Sequence, residues 1–376
     1  MIVRARHYVT GLRLDFAVED GKFKGIRDAN TAKPDREAGW IAPALFDLQI
    51  NGCLGIDFSS PTVTVEQVRQ VIDECRKHGI AGLLPTLITN SFEAIVHGLG
   101  TLKKARETDP VVAAAVPGFH VEGPYIASED GPRGAHPRKH ARDPDFDEFQ
   151  RWQDAAGGQI RLFTLAPERA GALRFIEQVA RTGVVVAIGH TAATPAIIRD
   201  AVAAGAKLST HIGNGSHAVL PRHENYIWEQ LAADELWASM IPDGHHLPPS
   251  LVKVIVRAKT PRRTIITCDA SSLAGLPPGR YGEWEVQPSG RVAVPGTPFL
   301  AGSGSFTDSC VGNTIRMAGV SLAEAVDMAS AHPRELLGLP NWELSEGATS
   351  PFMLFDWEPG GEFVVREVIG VGSRRP

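Results

Sequence analysis

The sequence predicts an α/β fold: a (β/α)8, TIM-like barrel with a small β-sandwich domain formed by both termini. Three observations point there. Apolar runs of strand length alternate with amphipathic runs of helix length through the long middle of the chain. Residues able to bind metal or move protons close several of the apolar runs, which is how barrel sites are assembled at one end of the strands. Both ends of the chain alternate apolar and polar residues between short turns, as antiparallel strands do. A doubly wound open sheet is the alternative use of the same elements; chemical residues at so many strand ends favour the barrel. The expected division is residues 1–42 with 341–376 for the β domain and 43–340 for the barrel.

Each element has a local reason. MIVRARHYVTGLRLDFAVEDGKFKGIRDA turns at Gly11 and at Asp20-Gly21. APALFDLQI is a buried strand. Thr64 opens a helix with Gln67 as its capping-box partner, Val65, Val68, Ile72 and Cys75 share one face, and Gly79 ends it. IAGLLPTL is the next strand and SFEAIVHGLGTLKKARE the next helix. VVAAAVPGFHV, IRLFTLAP and GVVVAIGH read as further strands. Thr194 and Pro195 start a helix that runs to Gly205. KLSTH, LWASMIPD and RTIITCD follow as strands, and a capping box from Ser321 to Glu324 opens SLAEAVDMASA. GATSPFMLFDWEPGGEFVVREVIGVG returns to strand alternation around a turn at Pro359-Gly360-Gly361. No internal repeat or low-complexity segment interrupts the series.

The chain has 376 residues, 43% of them hydrophobic. That length suggests about two domains. A net charge of −5 and a pI near 6.2 argue against a nucleic-acid partner. A small phosphorylated ligand remains open, because a local group of Arg and His can hold one. The four cysteines form no CxxC pair and are expected as reduced thiols in the cytoplasm. Cys268 is expected to pack away from Asp269. The N-terminus lacks the apolar core of a signal peptide, and no run of about 18 apolar residues offers a membrane span.

Four apolar runs end on a chemical residue: PGFHVEG at Glu122, GVVVAIGH at His190, AKLSTH at His211 and RRTIITCD at Asp269. A catalytic metal takes about three protein ligands and keeps a position for water, and a nearby carboxylate can take that water's proton. Each residue has a plainer reading. Glu122 could be an ion-paired structural acid and Asp269 a helix N-cap. Any one of 13 histidines is more often a surface group. Two histidines at matching strand ends beside Glu122 favour a metal. His120, two residues before Glu122, points to the same side as a weaker ligand or a supporting group. Of His245 and His246, one is expected at substrate. Arg222 and Arg280 are candidate anion binders, each otherwise a solvated charge. Rival motifs fail: GSGSF lacks GxSxG spacing, and there is no Walker A or GxGxxG.

Several longer motifs resemble the N-acetylglucosamine-6-phosphate deacetylase family of the amidohydrolase superfamily. They are FDLQINGCLGIDF (46–58), GFHVEGPYI (118–126), GAHP (134–137), AIGHTAAT (187–194), STHIGNG (209–215), PDGHH (242–246), TCDASSLAGLPPGRY (267–281) and the long run from Leu300 to Leu339. They keep family order over almost the whole chain. Where many amidohydrolases carry His-x-His, this chain reads Gln49-Ile50-Asn51, so the resemblance implies one divalent metal per subunit held by Glu122, His190 and His211. Zinc suits that set; Fe2+, Co2+ and Mn2+ stay open.

The resemblance further implies that Asp269 activates the water and protonates the leaving amine, and that His136 polarises the carbonyl. It places substrate contacts at Gln49, Asn51, Asn214, Gly215, His246 and Arg222, the last donated across a homodimer. The implied reaction converts N-acetylglucosamine 6-phosphate to glucosamine 6-phosphate and acetate. Alternatives are another N-acyl sugar or cyclic amide, or a non-catalytic sugar-binding relative. The chain departs from the family where Asn214-Gly215-Ser216-His217 replaces an Asn-Ala-Met stretch, and in the bulky VLPRHENYIWEQL that follows.

Overall fold

The computed structural model of the chain describes residues 1–30, 33–297 and 299–370. Its centre is eight parallel strands in chain order: Leu45–Ile50, Ile80–Ile88, Phe119–Glu122, Ile160–Leu165, Val185–Ile188, Ala206–Ser209, Trp237–Met240 and Thr264–Ile266. The first and eighth strands meet through side chains and one bridge rather than a full ladder. Ile50 pairs with Ala270, and Asp47 accepts hydrogen bonds from the Cys268 amide and the Thr267 hydroxyl. The sheet is thus a nearly closed barrel.

The barrel interior is layered, because alternate residues of each strand point inward. Phe46, Leu48, Leu84, Leu162, Leu208 and Trp237 plug the lower half. Above them lies a polar layer. His120 Nε2 meets Thr164 Oγ1 at 2.8 Å, Thr164 meets Thr210 at 2.8 Å, and His120 Nδ1 meets Thr86 Oγ1 at 3.3 Å. Buried hydroxyls and an imidazole satisfy one another there. His120 is therefore occupied below the site, and burial pushes its pKa down to about 4.

The helix caps fall where the sequence puts them. Thr64 and Gln67 form both bonds of a capping box, as do Ser321 and Glu324, and Thr194 Oγ1 accepts from the Ile197 amide. One strand reading is overturned. VVAAAV is a short helix, Pro110–Ala115, and the strand begins only at Phe119. Asp109 caps that helix through the Val111 amide, with Pro110 at its first position. That cap outweighs the β preference of the valines. A three-stranded hairpin (Gly279–Tyr281, Trp284–Val286, Val292–Ala293) adds to the barrel mouth.

The termini build one six-stranded sheet that folds over on itself: three strands lie between the strands of Phe23 and Phe352 in the sheet order, yet their rings are 5.1 Å apart. Strand Arg36–Pro43 lies parallel to Ile2–His7 and antiparallel to Phe352–Asp356. The reason shows in the last of these strands. Phe352 and Leu354 pack with Phe16 and Phe23, while Met353 and Phe355 join the main barrel core. The barrel covers one face, and the segment carrying Leu344 and Ala348 packs on the other. The two ends of the folded sheet thus bury one apolar cluster between them, as the layers of a sandwich do. The last six residues of the expected 341–376 segment lie outside the described residues.

Candidate active site

Three of the strand-end residues share an uncommon backbone. His190, His211 and Asp269 have φ of 51°, 26° and 51°, in the left-handed region that non-glycine residues seldom adopt. Each follows its strand closely, so the turn swings its side chain over the barrel mouth. Such conformations persist where the surroundings hold them and cluster at functional sites. His211 is held by its own amide, which donates to Ser239 Oγ at 2.7 Å. Asp269 is held by its carbonyl, which accepts from the Ser303 amide at 2.9 Å.

Glu122 is the hub. His211 Nε2 lies 2.8 Å from Oε1, His190 Nε2 3.3 Å from the same oxygen, and His136 Nε2 3.8 Å from Oε2. All four side chains are buried. Burial by itself would raise the Glu122 carboxyl; hydrogen bonds from His190 and His211 prevail and hold it well below the usual range. Burial pushes His136 down to about 3, with the neighbouring His190 charge adding to it. Glu122, His136 and His190 bring ligating atoms within 4.8 Å of one another. His211 touches the same carboxylate oxygen, so the geometry offers two overlapping sets of three ligands.

The donor chemistry suits a cation. His190 Nδ1 lies 2.9 Å from the Pro132 carbonyl, which only accepts, so Nδ1 carries a hydrogen. His190 Nε2 then faces the Glu122 carboxylate, and His136 Nε2 at 3.1 Å. A proton or a metal ion must lie among these atoms to keep them together. An imidazole whose far nitrogen donates to a backbone carbonyl is also the usual support of a metal-bound histidine.

The loop carrying these supports is packed tightly. Gly215 has φ 54°, and a Cβ there would come within 2.6 Å of His190 Nδ1 and 2.8 Å of the Pro132 carbonyl. Glycine at this departure from the family pattern lets the 213–217 loop lie against His190. The next departure, His217, binds outward: Nδ1 lies 3.0 Å from the Tyr226 hydroxyl and Nε2 3.3 Å from Glu129.

Asp269 faces the cluster across a cavity of about 320 Å³ lined also by Asn51, Glu122, His136, His190, His211, Asn214, Gly215 and His246. Burial, then the charge of Glu122, pushes the Asp269 carboxyl up to about 6. Asn214 Nδ2 is buried without a partner among the described residues. His246 Nδ1 meets Asp243 Oδ2 at 2.8 Å, the same oxygen that accepts from Ser303 Oγ at 2.8 Å. The His245 amide donates to Asp243 Oδ1 at 2.8 Å.

Gln49 and Asn51 turn toward Asp269 Oδ1, at 2.9 and 2.7 Å. Arg222 is exposed and does not line its own chain's cavity. Arg280 lies in a side lobe with Arg133 and Trp284. Four contributors escaped the sequence reading. Thr89, whose Oγ1 lies 2.9 Å from His136 Nδ1, stands at a strand end like His190 and was findable by the same rule. Asp243 lay inside the PDGHH motif. Trp284 and Phe299, on the cavity wall, carry no local signal.

Comparison with known proteins decides the family. N-acetylglucosamine-6-phosphate deacetylase from Homo sapiens is 36% identical over 368 residues, covering 92% of this chain and 88% of that protein. The Bos taurus enzyme is 34% identical with the same coverage. This chain belongs to the N-acetylglucosamine-6-phosphate deacetylase family. An N-acetylgalactosamine-6-phosphate deacetylase from Escherichia coli O157:H7 is 32% identical, over 86% of this chain and 84% of that one.

Among solved structures, the deacetylase from Mycobacterium smegmatis superposes with a TM-score of 0.89 at 28% identity, covering 99% of both chains. A mutant of that enzyme in complex with N-acetyl-D-glucosamine-6-phosphate gives 0.88 at 28% identity over 99% of this chain and 98% of that one. No family model matches the chain. The deacetylase relatives make this chain a hydrolase acting on an amide bond. Among the described residues, no helix is long and apolar enough to cross a membrane.

Proposed function

We propose that this chain hydrolyses the acetamide of N-acetylglucosamine 6-phosphate, releasing acetate and glucosamine 6-phosphate. The observation that carries the reading is the convergence of Glu122, His190 and His211 on one point of a cavity whose opposite wall presents Asp269. The names of the relatives and the sugar-phosphate complex of the Mycobacterium smegmatis enzyme support the substrate.

Glu122, His190 and His211 are the residues to hold one divalent ion. A carboxylate with two imidazoles suits zinc, and Fe2+, Co2+ and Mn2+ remain compatible. When bound, such an ion polarises an amide carbonyl and acidifies a water. Asp269 would take a proton from the attacking water and deliver it to the departing nitrogen. Thr89 Oγ1, 2.9 Å from His136 Nδ1, orients the imidazole, and in the tautomer with its hydrogen on Nε2 that hydrogen would meet the substrate's carbonyl oxygen as negative charge builds there. Asn214 Nδ2, the Gly215 backbone and His246 face the sugar and its phosphate. Arg222 reaches a neighbouring subunit's cavity in a homodimer. Its position outside its own cavity supports this, as do Val219 and Trp228 nearby, 86% and 51% exposed. The expected location is the cytoplasm.

The test is amine release by the zinc-loaded chain from N-acetylglucosamine 6-phosphate, beside the unphosphorylated sugar. Strong preference for the phosphate form supports the reading; activity on neither sinks it. The Escherichia coli relative favours a second reading, the galactose epimer, which the same assay resolves when run with N-acetylgalactosamine 6-phosphate.

A further inference from the structure

We propose that Gln49 and Asn51 are positioning residues for the Asp269 carboxylate, a role that rests on Asp269 being the proton carrier. Both side chains are buried, 2% and 9% exposed, and both donate to the same atom. Gln49 Nε2 reaches Asp269 Oδ1 at 2.9 Å and Asn51 Nδ2 reaches it at 2.7 Å. Among the described residues, Oδ2 accepts no hydrogen bond. Two donors converging on one oxygen fix the rotation of the carboxylate about its Cβ–Cγ bond. They leave the second oxygen as the atom free to take and return a proton.

The Asn51 amide shows which contact sets its orientation. Its Oδ1 is buried and, among the described residues, has no partner. A buried acceptor left unpaired is unfavourable by about 1–3 kcal/mol, and a side chain serving only packing would be satisfied at both ends. Turning the amide over would set its oxygen against Asp269 Oδ1. The charge of Asp269 thus dictates the arrangement, and Asn51 tolerates an unpaired oxygen to serve it.

Backbone and seam make the contact rigid. The Asn51 amide donates to the Ala270 carbonyl at 2.9 Å, next to Asp269 itself. Two residues before Gln49, Asp47 is fully buried and accepts from the Gln49 amide at 2.8 Å, the Cys268 amide at 2.9 Å, Thr307 Oγ1 at 2.6 Å and Thr267 Oγ1. No cation pairs with it among the described residues. Two of its four donors, the Cys268 amide and the Thr267 hydroxyl, tie the first strand to the end of the eighth just beneath the Gln49–Asp269 contact. The distance between donors and base is therefore set by the barrel seam, not by a flexible loop.

The test uses the zinc-loaded full chain with N-acetylglucosamine 6-phosphate and the near-isosteric variants Gln49→Met and Asn51→Leu. Each should lower kcat tenfold or more, with KM within threefold and bound metal and Tm close to the parent. In an Asp269→Asn background, each should change the residual turnover by less than twofold, because the group they act through is gone. A rise in KM at constant kcat would make them substrate contacts and overturn the proposal. Equal losses in both backgrounds would overturn it too. If Asp269→Asn alone keeps near-parent turnover, the base assignment fails. If Asp269→Asn is inactive while both new variants stay fully active, only the positioning role fails.

Discussion

His190 gives its Nδ1 hydrogen to the Pro132 carbonyl at 2.9 Å, so a backbone atom of one loop decides which face a histidine of another strand presents to Glu122. The loop that carries Pro132 also carries His136, and Gly215 closes against both His190 and Pro132. Three segments far apart in sequence therefore set one cluster, and its chemistry can be probed a residue at a time.

Glu122→Gln removes the charge that gathers three imidazoles. After dialysis, bound metal measured by atomic emission should drop to less than about a tenth of the parent value, since carboxylate and imidazole ligands act together. Retention of one metal per chain would place the ion elsewhere.

Asp269→Asn should keep its metal and lose about 10³-fold in kcat, the scale of a lost general base. Turnover within tenfold of the parent would remove Asp269 from the proton path.

The acid side of the pH profile follows from the same residue. The base works only when ionised, and burial beside Glu122 holds Asp269 at about 6. Lowering the pH through that value fills the base with a proton, so kcat/KM should fall about tenfold per pH unit below it. A bound cation shifts this limb downward, because nearby positive charge favours the ionised acid. A limb well above pH 6 would contradict the assignment.

Arg222→Ala should raise KM for the phosphorylated sugar tenfold or more while leaving kcat within a few-fold, as expected for a lost phosphate contact. Mixing Arg222→Ala with Asp269→Asn subunits and allowing exchange should restore activity, because one of the two cavities in a mixed dimer then has both an intact base and an intact arginine. No recovery in a mixture shown by native mass spectrometry to exchange would confine Arg222 to its own subunit.

Phe352→Ala empties a site packed against Phe23 at 5.1 Å between ring centroids. The loss should be about 3–5 kcal/mol, read as a lower denaturation midpoint, with kcat at low temperature unchanged because the sheet lies away from the cavity.

Much of this site can be read from the sequence because barrel chemistry sits at strand ends. Glu122, His190, His211 and Asp269 each close an apolar run, and the structure sets them around one cavity. His136 was accessible only through family resemblance, since it lies on a loop with no periodicity to place it. The turn of Gln49 and Asn51 onto Asp269 is a contact across more than two hundred residues, which no local pattern encodes. The helix at Pro110–Ala115 was missed differently. Its valines resemble a strand, while the deciding signal, Asp109 followed by Pro110, lies outside the apolar run. That the layers of the small domain belong to one folded sheet depends on contacts such as Phe23 with Phe352, a fact about packing and not about the strands themselves.

That sheet also bears on synthesis. Strand Arg36–Pro43 pairs with Phe352–Asp356, its partner in sequence only after the whole barrel. At about 5–20 residues per second, the earlier strand waits on the order of tens of seconds on the ribosome with one edge unpaired. Unpaired edges invite wrong neighbours. The nascent chain therefore passes an exposed interval while the barrel is being assembled, and the small domain closes only when its last strands leave the ribosome.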